Sequence, residues 1–169
     1  MKERNCNIAV FIITCIGALL RIYQLGYHDL WFDEVVAVLI RSNETIRITE
    51  TPFPMFYFML HQWIRLFGVS EIGLRLLPYS FSVCCIPLIF LIGKHLFDRR
   101  VGLFSAIILA LSPFHLWYAQ EVQPYSAAVF FALLISYLFI KAIESDKRIF
   151  WGLFGLAYIL GVYVDEFLL

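Results

Sequence analysis

Asp33 and Glu34 stand side by side in HDLWFDEVV (residues 28–36), directly after Trp31 and Phe32. A third acid, Glu121, lies far along the chain in SPFHLWYAQEVQPYS (residues 112–126), with His115, Tyr118, Gln120 and Gln123 close by. Carboxylates placed beside large aromatic rings do one of two kinds of work. They exchange a proton with a reacting group, or they close the start of a helix, where acids are favoured. Successive helix residues point about 100° apart, so Asp33 and Glu34 cannot share one direction. One is expected to face the protein and the other to face solvent or cap the helix. For Glu121 the alternatives are a solvated turn residue and a site acid, because a carboxylate close to apolar spans is costly unless it meets water or a partner. His115 reads as a hydrogen-bonded histidine, since one His with scattered acids lacks a zinc spacing. Arg21 and Arg75 each sit at the edge of an apolar run. They either extend to headgroup depth as anchors or hold a phosphate, for which guanidinium is suited.

The elements that must position these residues are set by an extreme composition. The chain is 62% hydrophobic, 18% aromatic and 15% charged, with a mean hydropathy of +0.81, which places it among membrane proteins. A hydrocarbon core of roughly 30 Å needs about 20 apolar residues in a helix. Runs of that kind lie near 7–24, 76–97, 101–118 and 124–142, and a shorter one near 149–164. The expected fold is therefore all-α, a single transmembrane domain over 1–169 with about five transmembrane helices. Lys2 and Arg4 before the first run resemble a signal peptide, but the run is long and has no small-residue cleavage site, so it reads as a retained helix. Cys6, Cys15, Cys84 and Cys85 show no metal-ligand or C-x-x-C spacing and read as small apolar residues.

Formal net charge is zero, so the distribution of charge carries the information. Lys2 and Arg4, then Lys94, Arg99 and Arg100, then Lys141, Lys147 and Arg148 all fall on one side if residues 25–72 contain no complete crossing. That side is expected to be cytoplasmic. Residues 25–72 then form an outer loop with two interfacial helices. One spans Pro54 to Phe67 with Phe53, Phe56, Tyr57, Leu60, Ile64 and Phe67 on a stripe, and Gln62 and Arg65 elsewhere. The other is LWFDEVVAVLIRS, with Phe32, Val35, Val36, Leu39 and Ile40 facing the membrane. The alternative makes 54–67 a true crossing and inverts everything after it. On the preferred topology 25–72, 117–124 and 164–167 share the outer face, and Asp33, Glu34 and Glu121 converge there. An Asn-Glu-Thr triplet at 43–45 lies on the same side and matches a glycan acceptor pattern.

The strings LLRIYQLGYHDLWFDE, HQWIRLFGVSEIGLRLLPYSFSV and GKHLFDRRVGLFSAIILALSPFHLWYAQEVQPYS together resemble the polytopic glycosyltransferases of the GT-C fold, in the branch of the protein O-mannosyltransferases and the aminoarabinose transferases of lipid A. The resemblance runs nearly continuously over residues 20–142. It implies transfer of a sugar from a polyprenyl-phosphate-linked donor to a lipid, glycan or protein acceptor at the outer face, with inversion if displacement is direct. It further implies Asp33 as base, Glu121 as a second acid that orients the acceptor or a divalent metal ion, and Glu34 in support. Arg75 and Arg21 are then candidates for the donor phosphate, and His115, Tyr118, Gln120 and Tyr125 for the cavity wall. No other cofactor and no nucleic-acid partner are expected.

The chain departs from that family's pattern in places. A His-Pro-Pro run is usual where this chain reads Pro52-Phe53-Pro54, and an Arg is usual where it reads Gln123 near Tyr125. The family's enzymes are several times longer, so the chain is expected to correspond to their N-terminal part, with a C-terminal portion missing. Two other classes compete: a truncated, non-catalytic membrane protein or subunit, and a small transporter or flippase component. The last would want polar residues in mid-span, where Thr14, Ser82 and Ser136 are the main candidates.

Overall fold

The computed structural model describes residues 3–27, 29–36, 54–145 and 147–165, and among them all regular structure is helical. The helices are α1 (Glu3–Ile22), α2 (Pro54–Phe67), α3 (Glu71–Leu96), α4 (Arg99–Leu111), α5 (Pro113–Tyr118), α6 (Tyr125–Glu144) and α7 (Arg148–Val164). Residues 32–36 are also helical. The boundaries follow local chemistry. Pro54 opens α2, where its missing N–H costs nothing, and Gly68 ends it with a positive φ of 77° that glycine adopts without strain. Ser70 caps α3 by accepting the Gly73 N–H at 3.1 Å. Asp98 caps α4 by accepting from the N–H groups of Arg100 and Val101 at 2.7 and 2.8 Å.

The run at 101–118, expected as one span, is two helices. Ser112 precedes Pro113 and is pushed to ψ 116°, outside the helical region. It ends α4 and at the same time caps α5, its hydroxyl accepting the His115 N–H at 3.4 Å. The expected count of five spans is therefore not reached on length. Among the described residues three helices are long and apolar enough to cross a bilayer, Arg4–Ile22, Glu71–Leu96 and Tyr125–Glu144. The 13 residues of α4 rise about 20 Å and the 17 of α7 about 26 Å, against a core of roughly 30 Å.

Helix α3 is the central element, packed against α1, α2, α4, α5 and α6. One core cluster joins Cys6 and Val10 of α1 to Ile86 and Phe90 of α3 and to Ala106 and Ala110 of α4. There α3 and α4 touch backbone to backbone, and a Cβ on Gly102 would lie 2.7 Å from the Phe90 carbonyl oxygen. The second cluster gathers Phe56, Leu60, Leu74, Leu77, Val122, Phe131 and Val164. The apolar stripe of α2 thus faces protein: Phe56 and Leu60 are fully buried, while Phe67, Gln62 and Arg65 are exposed. Phe53, Leu39 and Ile40, expected on the two loop stripes, lie outside the described residues, as does the 43–45 triplet. Trp31 and Phe32 are exposed.

Charge sorts to the two ends of the bundle. At one end His95 bonds both Glu144 and Lys141, which ties α3 to α6 close to the α3–α4 turn with Arg99 and Arg100. At the other end the loop after α1, the 119–124 turn and the end of α7 come together around the second cluster.

Candidate functional site

The last end is organised by Glu34, which is 1% exposed. Its Oε2 accepts the Trp31 N–H at 2.9 Å. Because Trp31 is also the residue whose carbonyl takes the Val35 N–H, Glu34 closes the short helix as a capping acid. The same oxygen lies 3.3 Å from an Arg75 Nη. The other oxygen, Oε1, accepts the backbone N–H of Val122 at 2.7 Å, 88 residues away. A buried pair of this kind is favourable only when further hydrogen bonds offset the loss of water. Arg75 makes two such bonds through its Nη groups, donating to the carbonyls of Leu25 and Asp29 at 2.9 and 3.3 Å.

With Glu34 turned inward, its neighbour turns outward. Asp33 is exposed and lines a cavity of about 430 Å³ together with Glu121, Tyr125, Tyr57, Trp117 and Gln123. Glu121 accepts the Trp117 indole N–H at 2.5 Å, a partner one helical turn earlier. Its partial burial holds the Glu121 carboxyl above the usual carboxylate range. The Trp117 hydrogen bond opposes that rise, the charge of Glu34 adds to it, Arg75 opposes it and Asp33 adds to it. Two carboxyls in unlike surroundings facing one space is an arrangement that lets one act as base while the other holds a proton or a partner.

The remaining expected residues divide into wall and scaffold. Tyr125 meets the Tyr118 ring edge to face at 4.7 Å, and it separates the polar cavity from a neighbouring apolar one of about 380 Å³ that includes His115, Tyr118 and Asp165. Gln120 donates to the carbonyls of Arg21 and Tyr23, both at 2.9 Å, and so closes the end of α1. Arg21 is fully buried. Its Nε donates to Ser82 at 2.7 Å, one Nη to the Gly17 and Ala110 carbonyls at 2.9 and 3.0 Å, and the other to the Leu109 carbonyl and His115 Nδ1 at 3.0 and 3.1 Å. The guanidinium thereby sits on the negative end of α4. Nδ1 of His115 also lies 2.9 Å from the Ser82 hydroxyl, so Nδ1 accepts and the ring proton is on Nε2, for which no partner is found among the described residues.

Arg75 reaches the rim of the site, in a recess of about 40 Å³ shared with Trp31, Trp117, Gln120 and Glu121. Arg21 does not line the polar cavity. Trp117 and Tyr57 were missed by sequence reasoning. For Trp117 the i, i+4 spacing to Glu121 is an available signal, whereas Tyr57 falls on the apolar stripe of the 54–67 helix, which gives no sign of a place in the wall. Among the described residues no group of three or more His, Cys, Asp or Glu side chains is placed to hold a metal ion.

A protein of Aquifex aeolicus (strain VF5), described as an uncharacterized protein, is 27% identical over 158 residues, covering 83% of this chain and 31% of its own length. The chain thus spans about a third of that relative. No solved structure matches it significantly. Residues 50–167 match the model of the dolichyl-phosphate-mannose-protein mannosyltransferases, and that match, over more than half of the chain, shows that the chain belongs to this glycosyltransferase family.

Proposed function

We propose that the Asp33–Glu121 cavity is where a sugar leaves a polyprenyl-phosphate donor for an acceptor, at the outer face of the membrane. What supports the reading most is that acids from two loops 88 residues apart line one cavity and are tied together through Glu34. Asp33 takes the proton of an acceptor hydroxyl or amide as that group forms its bond to the anomeric carbon. The bond from that carbon to the lipid phosphate breaks, the phosphate keeps the electron pair, and the anomeric centre inverts. Glu121, held by Trp117, orients the acceptor. Arg75, behind Glu34 and beside Glu121, supplies positive potential toward the departing phosphate, while Arg21, with every N–H engaged, serves the scaffold. A divalent ion is a second candidate for that charge, with Glu121 and phosphate oxygens as ligands of the kind magnesium takes, and chelation of the assay tests it.

Membranes carrying the chain, supplied with polyprenyl-phosphate sugars, are expected to release polyprenyl phosphate. Asp33→Asn is expected to lower that rate by about 10²-fold or more, the usual contribution of a positioned base, with folding unchanged because Asp33 is exposed. Near-normal turnover by the variant sinks Asp33 as base. The length of the Aquifex relative favours a second reading, in which this chain is a module of a larger assembly. Transfer that occurs only after a further polypeptide is added would support it.

A further inference from the structure

We propose that the charged end opposite the Asp33–Glu121 cavity carries a binding site for an anionic glycerophospholipid, formed by the start of α4 and the groove between α4 and α1. Arg99 and Arg100 border a depression of about 580 Å³ whose other walls include Leu103, Phe104 and Ile107. Ile107 also borders a second, wholly apolar groove of about 90 Å³, completed by Ile13 and Ile16 of α1 and by Ala110 and Leu111 of α4. The two spaces thus lie on either side of Ile107 along one line of α4, guanidinium at one end and apolar side chains toward the other. From Arg100 to Leu111 helix α4 rises about 16 Å at 1.5 Å per residue, close to the roughly 15 Å of a single leaflet's hydrocarbon. This is the shape of one phospholipid, a phosphate head followed by an acyl chain that stops at mid-bilayer.

Charge selects among phospholipids. Asp98 shares the depression, with its Oδ1 accepting the N–H groups of Arg100 and Val101. Arg99, Arg100, Lys94 and Lys141 outnumber Asp98 and Glu144 at this end, so the local potential is positive and favours a headgroup with net negative charge over a zwitterionic one. The two adjacent arginines add the paired N–H donors that phosphate accepts. Phe104, 66% exposed, supplies the apolar surface that a chain would cover. The site depends on the chain lying in a bilayer and not on the transfer reaction, so either reading can fail without the other.

The test is native mass spectrometry of the detergent-solubilised chain with added phosphatidylglycerol or phosphatidylcholine. Phosphatidylglycerol adducts are expected to exceed phosphatidylcholine adducts several-fold. Arg99→Gln with Arg100→Gln should bring the two to parity, whereas Lys147→Gln with Arg148→Gln, a basic pair off the groove, should leave the excess intact. In parallel, Phe104→Trp in the otherwise native chain is placed in phosphatidylcholine vesicles containing phosphatidylglycerol with brominated chains, the native chain giving the background of its four tryptophans. Stronger quenching than with brominated phosphatidylcholine is expected. Equal adducts from the two lipids, an excess that survives the arginine changes, loss of the excess in the lysine–arginine control, or equal quenching would each overturn the site.

Discussion

The burial of Glu34 and the exposure of Asp33 illustrate how little separates a structural acid from one that faces a cavity: a single step along a helix. That division was legible, because adjacent helix positions diverge by about 100°. Which acid turned inward was settled by distant partners, Arg75 and the Val122 N–H, that local sequence does not reveal. Arg21 is the clearer lesson. Its depth at the end of an apolar run could be read, but its engagement depends on Ser82, Leu109, Ala110 and His115, all more than 60 residues away. Glu121 supports a prediction at this scale. Its raised pKa means the folded chain binds that proton more tightly than the unfolded chain does. The resulting penalty on folding is absent below the ordinary carboxylate range, grows as pH rises through it, and is complete above the raised value. Glu121→Gln keeps an acceptor for Trp117 and removes the penalty. Thermal melts across pH should show the variant gaining on the native chain from acid toward neutral pH, and a pH-independent difference would exclude the account.

At the scale of elements, the sequence revealed α2 residue for residue, because proline and glycine bracket a clean apolar stripe. It misjudged where that stripe points, since an apolar face fits a membrane interface and a protein core equally well. The break at 112–113 was written in the Ser-Pro pair and was overridden by the continuous hydropathy around it. Two glycines give opposite expectations. At Gly102 an added Cβ meets the Phe90 carbonyl at 2.7 Å, so Gly102→Ala forces α3 and α4 apart and should cost about 1–3 kcal/mol, the usual range for overpacking. At Gly152 nothing lies within 4 Å, and Gly152→Ala should be neutral or stabilising by up to about 1 kcal/mol from helix propensity. Unfolding of both variants in mixed detergent measures the contrast, and equal effects would refute the close approach of the two helices.

At the scale of the whole molecule, the grouping of charges was the most informative reading of the sequence. Counting Lys and Arg in the short connections put both acidic segments at one end, and the Glu34–Val122 bond joins them there. The count could not say which helices cross the bilayer fully, because α4 and α7 are short for the task. Sidedness follows as a prediction from the same distribution. Glu44→Cys and Asp146→Cys should react with a membrane-impermeant maleimide from opposite faces of a sealed vesicle. Labelling from the same face would mean that residues 54–67 cross the bilayer and that the outer-face placement of the Asp33–Glu121 cavity is inverted for part of the chain.

The bond between Glu34 and the Val122 N–H has a consequence for motion. Asp33 is the residue before Glu34, and Glu121 is the residue before Val122, so each acid is one peptide unit from an end of the same hydrogen bond. Displacement of either loop is transmitted to the other through that short link, and the two loops drift together. Fluctuations that would blur the spacing of two independent surface loops become shared translation here, and the gap across the cavity keeps its width while its surroundings move.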